Sequence, residues 1–337
     1  MTTAEPRWNA PIFIVGSPRS GTTLLRNLLN RHPAIAVCRE TDYYHYVYRR
    51  RRAFGDLGNL KNRQRLVKEY LSTQRIRRMK IDLQALENVL MDEASSYPAL
   101  FASLLRFYAK AHGKSRCGEK TPLHAYFTET LCEWYPGGRI IHLLRDPRDV
   151  VVSLGQLPSA PNSLIGRAKL WLRRNLAALR SQHRPQYLQV RYEELVTDPE
   201  KCLGGICRFL EEEYSPIMLV PDWDPTADRP WYRRAEESVT TQRIGVWRKE
   251  LTEEQIALIE WLIGPHMKTF GYEAVGRKPS SGAIARAFAL GAFDTVRRKV
   301  GEFPGVWYSL TCSRELVKEE SARERYRTRN LTRSVPQ

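Results

Sequence analysis

The sequence predicts an α/β protein with a parallel central sheet flanked by helices. Short apolar runs at IFIV (12–15), RIIHLL (139–144) and YLQV (187–190) are each followed by a polar or charged loop and then a helical pattern. Such strand–loop–helix alternation builds parallel sheets, whose ligands sit at the carboxyl ends of the strands. The first run also opens into GSPRSGTTLLRNLL (16–29), with glycine, four residues, glycine and two hydroxyl residues. That is the outline of a phosphate-binding loop feeding the N-terminus of a helix.

Two shorter runs, IAVC (35–38) and RCGEK (116–120), are expected to complete the sheet. Residues 43–112 between them read as a helical insertion carrying basic clusters at RRRR (49–52) and RIRRMK (75–80). Ser163 to His183 reads as one long helix, with Leu170, Leu172, Leu176 and Leu179 among its apolar positions. Asp198-Pro199-Glu200 carries the signals of a helix start. The Pro- and Asp-rich stretch 215–234 reads as a long loop. Glu253 to Phe270 follows as an amphipathic helix, capped by Thr252 and closed by Gly271. RKPSSG (277–282) is a linker composition, which divides the chain into a domain over 10–276 and a basic helical extension over 277–337. Within the extension, 283–303 alternates apolar and basic clusters and is expected either to pack on the parent domain or to lie on a membrane surface.

The chain has 337 residues, 42% hydrophobic and 27% charged, an ordinary globular composition. No run is apolar enough to span a bilayer, and the N-terminus lacks a signal-peptide layout. The six cysteines form no CxxC pair and have no histidines at metal spacing, so a reduced, cytoplasmic chain without structural zinc is expected. A net charge of +17 suits an anionic ligand, an anionic membrane or nucleic acid, and does not choose among them.

The chemistry begins at the loop. Gly16 and Gly21 permit a tight turn whose N–H groups point inward at an anion, and the helix starting near Thr22 adds its positive end. Ser20, Thr22 and Thr23 supply hydroxyls and Arg19 a cationic fork. Thr22 stands where a nucleotide triphosphatase would carry the lysine that reaches its terminal phosphates. A γ-phosphate would therefore lack its main charge stabiliser, and a ligand with one 5′ phosphate fits better. A second segment, IIHLLRDPRDVVVSL (140–154), puts Arg145 at the end of a strand and Ser153 about two helical turns further on. The pair can grip a second phosphate from two directions. Asp146 and Asp149 read either as local ion pairs capping the helix or, for Asp146, as the metal-holding acid of a triphosphatase.

GSPRSGTTLL and LLRDPRDVVVS together resemble the two nucleotide-binding segments of sulfotransferases that use 3′-phosphoadenylyl sulfate. VRYEELVTDPEKCL (190–203) and RIGVWRKELTEEQ (243–255) resemble later elements of the same family, so the similarity runs from about Pro11 to Tyr272. The resemblance implies a three-layer fold like that of P-loop nucleotide triphosphatases. It also implies a donor carrying a 5′ phosphosulfate and a 3′ phosphate, with no metal. Arg19, Ser20, Gly21, Thr22 and Thr23 would hold the 5′ phosphate, Arg145 and Ser153 the 3′ phosphate, and Tyr192 would contact adenine. Ser238, Thr240 or Thr241, and Arg243, Arg248 or Lys249, are further donor candidates.

Sulfuryl transfer needs removal of the acceptor's proton and neutralisation of charge on the departing phosphate. Glu40, in CRETDYY, resembles the glutamate base of tyrosylprotein-type and related bacterial sulfotransferases. Lys120, in GEKTP, would meet charge on the bridging oxygen together with Arg19. Small-molecule sulfotransferases read Lys-Thr-His at this point, whereas this chain reads Lys120-Thr121-Pro122, which shifts weight onto Glu40 and leaves His124 in reserve. The expected activity is transfer of a sulfuryl group to a hydroxyl of a glycan, lipid, peptide or small molecule, with no nucleic-acid partner. The alternatives are a P-loop kinase of small molecules and a basic nucleotide-binding protein acting at a membrane or nucleic-acid surface.

Overall fold

A computed structural model describes residues 8–157, 160–220 and 239–301, with side chains described up to residue 291. Five parallel strands form one sheet: β1 (Ile12–Gly16), β2 (Ile35–Cys38), β3 (Arg116–Lys120), β4 (Arg139–Leu144) and β5 (Tyr187–Arg191). Their spatial order is β2-β3-β1-β4-β5, which puts the strand feeding the glycine-rich loop at the centre. All five expected strands are present.

Alternation along β1 explains the layers. Phe13 and Val15 pack into a core shared with the insertion, while Ile12 and Ile14 face the opposite way onto Leu25, Leu28 and Leu29. Successive strand residues point to opposite faces, so an unbroken apolar run marks a strand covered on both sides. The covering helices on the second face are α1 (Thr22–Arg31) and the helix Pro199–Leu210, which starts behind an Asp198 cap as the sequence predicts. At the sheet edge, the Asn30 side chain accepts from the N–H of Val37 at 2.8 Å and donates to its carbonyl at 2.9 Å. This occupies backbone groups that an edge strand otherwise leaves open.

The insertion is helical, and its longest members are Leu60–Ser72, Leu83–Glu93 and Tyr97–Ala111. The long helix after the second segment spans Leu164–Leu179 behind a Ser163 cap. Its buried face is Ile165, Ala168, Trp171, Asn175 and Ala178, while the four expected leucines are only partly buried against it. Glu253–Met267 is helical with a complete Thr252/Gln255 capping box, and Gly271 follows at φ 72°. Helix Ser281–Gly301 begins within the expected linker and packs on Leu164–Leu179. The expected loop 215–234 falls mostly outside the described residues, as does Ser238. No described helix is long and apolar enough to cross a membrane.

Candidate active site

The site lies at the carboxyl ends of β1, β3 and β4. β1 ends at Gly16, and Gly21 at φ 92° immediately precedes α1. A Cβ on Gly21 would lie 2.5 Å from the ring of Tyr192, so the loop and that tyrosine interlock only with glycine here. Arg19 itself has φ 69°, a left-handed conformation costly for a side-chain-bearing residue. Such strain concentrates where a loop is shaped for a ligand. Ser20 is fully buried and its hydroxyl has no hydrogen-bond partner within the protein. A buried polar group of this kind costs free energy until something donates to it or accepts from it.

The second segment closes on the first. Helix α9 (Pro147–Gly155) starts after β4, and Ser153 near its end accepts from Arg19 Nε at 2.9 Å. Arg145 donates to the carbonyl of Arg19 at 3.0 Å and to that of Arg243 at 2.6 Å. Its guanidinium lies 4.4 Å above the Tyr192 ring, and its Nε is buried without a partner. Arg19, Arg145, Ser153 and Tyr192 thus form one cluster, although they come from three separate stretches of chain.

The two aspartates divide the roles the sequence left open. Asp146 caps α9 by accepting from the N–H of Arg148 at 2.8 Å and is gripped at both oxygens by the Arg148 guanidinium. Arg148 also reaches Glu260 at 2.7 Å, fastening the helix Glu253–Met267 to α9. Among the described residues no group of acids, histidines or cysteines is arranged to hold a metal. Asp149 pairs locally with Arg145, one turn back, at 4.0 Å. It also accepts from the N–H groups of Gly245 and Trp247 at 2.8 and 3.0 Å, drawing the 243–247 turn down over Arg145. Arg243 therefore borders the cluster, whereas Arg248 stacks outward on Trp247 at 4.2 Å and Lys249 is exposed. Thr240 and Thr241 sit at the edge of this segment, Thr241 exposed.

Glu40 and Lys120 meet across the site in an ion pair, and Lys120 Nζ also lies 3.3 Å from the hydroxyl of Thr23 in the loop. Lys120 is 2% exposed. Burial pushes the Glu40 carboxyl up, but the charge and hydrogen bond of Lys120, helped by Arg75, outweigh it and hold the group at about 2. Burial also pulls the Lys120 ammonium down, against the pull of Glu40. His124 is fully buried, with Nδ1 2.5 Å from Glu119 and Nε2 accepting from the N–H of Tyr44 at 3.2 Å. Nε2 is occupied by the Tyr44 N–H, Nδ1 faces the Glu119 carboxylate, and the ring is fully buried, which keeps it from an incoming hydroxyl. Sequence reasoning missed Glu119, Thr41 and the backbone role of Asp149; a carboxylate inside a fully buried strand was the one available signal for the first.

Fold and site together set a glycine-rich strand-to-helix loop and an arginine cluster beside a buried Lys–Glu pair. The sulfotransferase family model matches residues 11–216, and the chain belongs to the sulfotransferase family. The chain is 25% identical over 292 residues to a Caenorhabditis briggsae protein named "Putative protein-tyrosine sulfotransferase", covering 81% of this chain and 93% of that one. It is 25% identical to nodulation protein NoeE of Sinorhizobium fredii, covering 77% of this chain and 65% of that protein. Among solved structures, the sulfotransferase domain of the Synechococcus PCC 7002 olefin synthase superposes with a TM-score of 0.58 at 25% identity. That superposition covers 80% of this chain and 96% of the domain.

Proposed function

We propose that the protein transfers the sulfuryl group of 3′-phosphoadenylyl sulfate to an acceptor hydroxyl by in-line attack, with Glu40 as base. The observation that carries this reading is the Lys120–Glu40 ion pair set against the glycine-rich loop. The residues fit the donor: the unpartnered Ser20 hydroxyl, the loop N–H groups and Arg19 suit a 5′ phosphosulfate. Arg145, Ser153 and Arg243 suit the 3′ phosphate, and Tyr192 suits the adenine.

A carboxylate held at about 2 is a poor base, because it has little affinity for a proton. Lys120 relieves this by changing partner. When the donor occupies the loop, Lys120 turns from Glu40 toward the bridging oxygen, where negative charge develops as the sulfuryl group leaves. Glu40 then keeps its burial but loses its cation, and its proton affinity rises as the acceptor arrives. The acceptor oxygen forms its bond to sulfur while Glu40 takes its proton, and adenosine 3′,5′-bisphosphate departs with the bridging-oxygen electrons. Use of a glutamate base favours glycans, peptides or other large acceptors over small phenols. The similarity to proteins named tyrosylprotein sulfotransferases supports that direction.

Calorimetric titration with adenosine 3′,5′-bisphosphate, run beside ATP with magnesium, tests the donor site. Tight binding of the bisphosphate without magnesium is expected; binding of ATP with magnesium alone would sink the assignment. Sulfur-35 transfer from labelled donor to a panel of glycans, tyrosine peptides and phenols then tests the chemistry. Glu40→Ala should bind the bisphosphate like wild type and transfer nothing, whereas Arg19→Ala should lose both together.

A further inference from the structure

Glu40 lies in an irregular stretch between β2 and the short helix Tyr43–Tyr46, and Asp42 within it has φ 46°. Loop residues usually have the freedom to drift, yet a base must be held within a fraction of an ångström of its working place. The residue that follows Glu40 is unusually well fastened. Thr41 is fully buried and donates both its N–H (3.2 Å) and its hydroxyl (2.8 Å) to one oxygen of Glu119. Its carbonyl accepts from the Tyr70 hydroxyl at 3.2 Å, and its own hydroxyl oxygen accepts from the N–H of Tyr43 at 3.2 Å.

We propose that Glu119, acting through Thr41, is the positioning residue for Glu40, and that His124 completes the support. The proposal rests on the reading of Glu40 as base. Consecutive residues of β3 take hold of consecutive residues of the loop: Lys120 meets the Glu40 side chain while Glu119 binds the Thr41 backbone and hydroxyl. Thr121 donates its hydroxyl to the same Glu119 oxygen at 2.8 Å. The second Glu119 oxygen faces His124 Nδ1 at 2.5 Å, and His124 Nε2 accepts from Tyr44, so the far end of the stretch is tied to the same carboxylate.

A carboxylate suits this arrangement, because one acceptor-only oxygen takes three donors while the other lies against His124 Nδ1. Glutamine would turn an NH₂ group toward one set of donors and leave it facing hydrogen atoms. The network acts by fixing where the Glu40 carboxylate stands.

The test uses Thr41→Val, which removes the hydroxyl at similar volume, Thr41→Ser, which keeps it, and Glu119→Gln. Crystals of each with adenosine 3′,5′-bisphosphate report the Glu40 position, and titration with the bisphosphate reports the donor site. Thr41→Val and Glu119→Gln should displace Glu40 and lower kcat by about tenfold for a reacting acceptor of the panel, the loss of roughly one buried hydrogen bond. Donor KM and bisphosphate affinity should stay within about twofold, since the donor loop is untouched. Thr41→Ser should restore both position and rate. Glu40 unmoved in the Thr41→Val and Glu119→Gln crystals overturns the proposal, as does an unchanged kcat in both variants. Full turnover by Glu40→Ala would instead overturn the base assignment, and is told apart because displacement of residue 40 is still visible in the Thr41→Val crystals.

Discussion

Replacing Lys120 with methionine should reverse the way stability responds to pH. In the wild-type protein the Glu40 carboxyl is held at about 2, below its ordinary 4.5. A depressed carboxyl contributes stability that is complete above its unfolded pKa and is lost as pH falls through its folded one. At 1.36 kcal/mol per unit the contribution is about 3 kcal/mol at neutral pH, falling to about 1 kcal/mol near pH 3. Methionine fills the lysine's buried space but supplies no charge. Glu40 is then left with burial, opposed by the weaker help of Arg75 and a backbone hydrogen bond, and its carboxyl moves up. A raised carboxyl is stabilising in its protonated form, so the variant loses stability as pH rises where the wild type does not. Urea unfolding at intervals from pH 4 to pH 8 measures this directly. The gap between the two proteins should be at least about 3 kcal/mol at pH 7, within the range for breaking a buried ion pair, and should narrow toward acid. Two curves that run parallel across that range would show that Lys120 and Glu40 are not coupled, and would remove the basis for the partner exchange.

Other perturbations follow from the same geometry. Gly21→Ala forces a Cβ to within 2.5 Å of the Tyr192 ring at φ 92°; with about 1–2 kcal/mol of backbone strain added, bisphosphate affinity should fall at least tenfold by calorimetry. Arg145→Ala removes the group that joins the carbonyls of Arg19 and Arg243, and should weaken bisphosphate binding about a hundredfold while the fold melts within a few degrees of wild type. Asp149→Asn keeps one acceptor oxygen for two N–H groups, so the 243–247 turn should exchange its amide hydrogens faster, with a loss of about 1–3 kcal/mol of local stability.

Much of the fold was legible because its strands are buried on both faces. IFIV and RIIHLL are continuous apolar runs, and a continuous run bounded by glycine or a charged loop has few other readings. The caps at Asp198 and Thr252 were legible for a local reason: each side chain bonds an N–H three residues ahead. The buried face of helix Leu164–Leu179 was not legible from its leucines, which are only partly buried, because Trp171 and Asn175 take the inward positions. Asn175 is inside because His142 of β4 requires a partner, at 2.8 Å, and that demand comes from another element. The long-range partners of Asp149 were not legible for the same cause: they are backbone groups near residue 246, and a backbone N–H leaves no mark on the sequence. His124 looked available as a base because sequence carries no measure of burial.

The loop lacks a lysine at Thr22, and the fold supplies a cation there from elsewhere. Lys120 comes from β3, the neighbour of β1 in the sheet, and its ammonium stands 3.3 Å from the hydroxyl of Thr23. A lysine rooted in the loop would be committed to the phosphates it embraces. One rooted in the next strand stands between the loop and the segment that carries Glu40, and can serve either. In the absence of donor its charge satisfies a buried carboxylate that would otherwise be costly to keep ionised. On the proposed mechanism the phosphosulfate would compete for the same ammonium, and the carboxylate so released is the group proposed to accept a proton. In that mechanism, moving the cation from the loop to the adjoining strand would tie the readiness of the base to the arrival of the donor, which a loop lysine could not do.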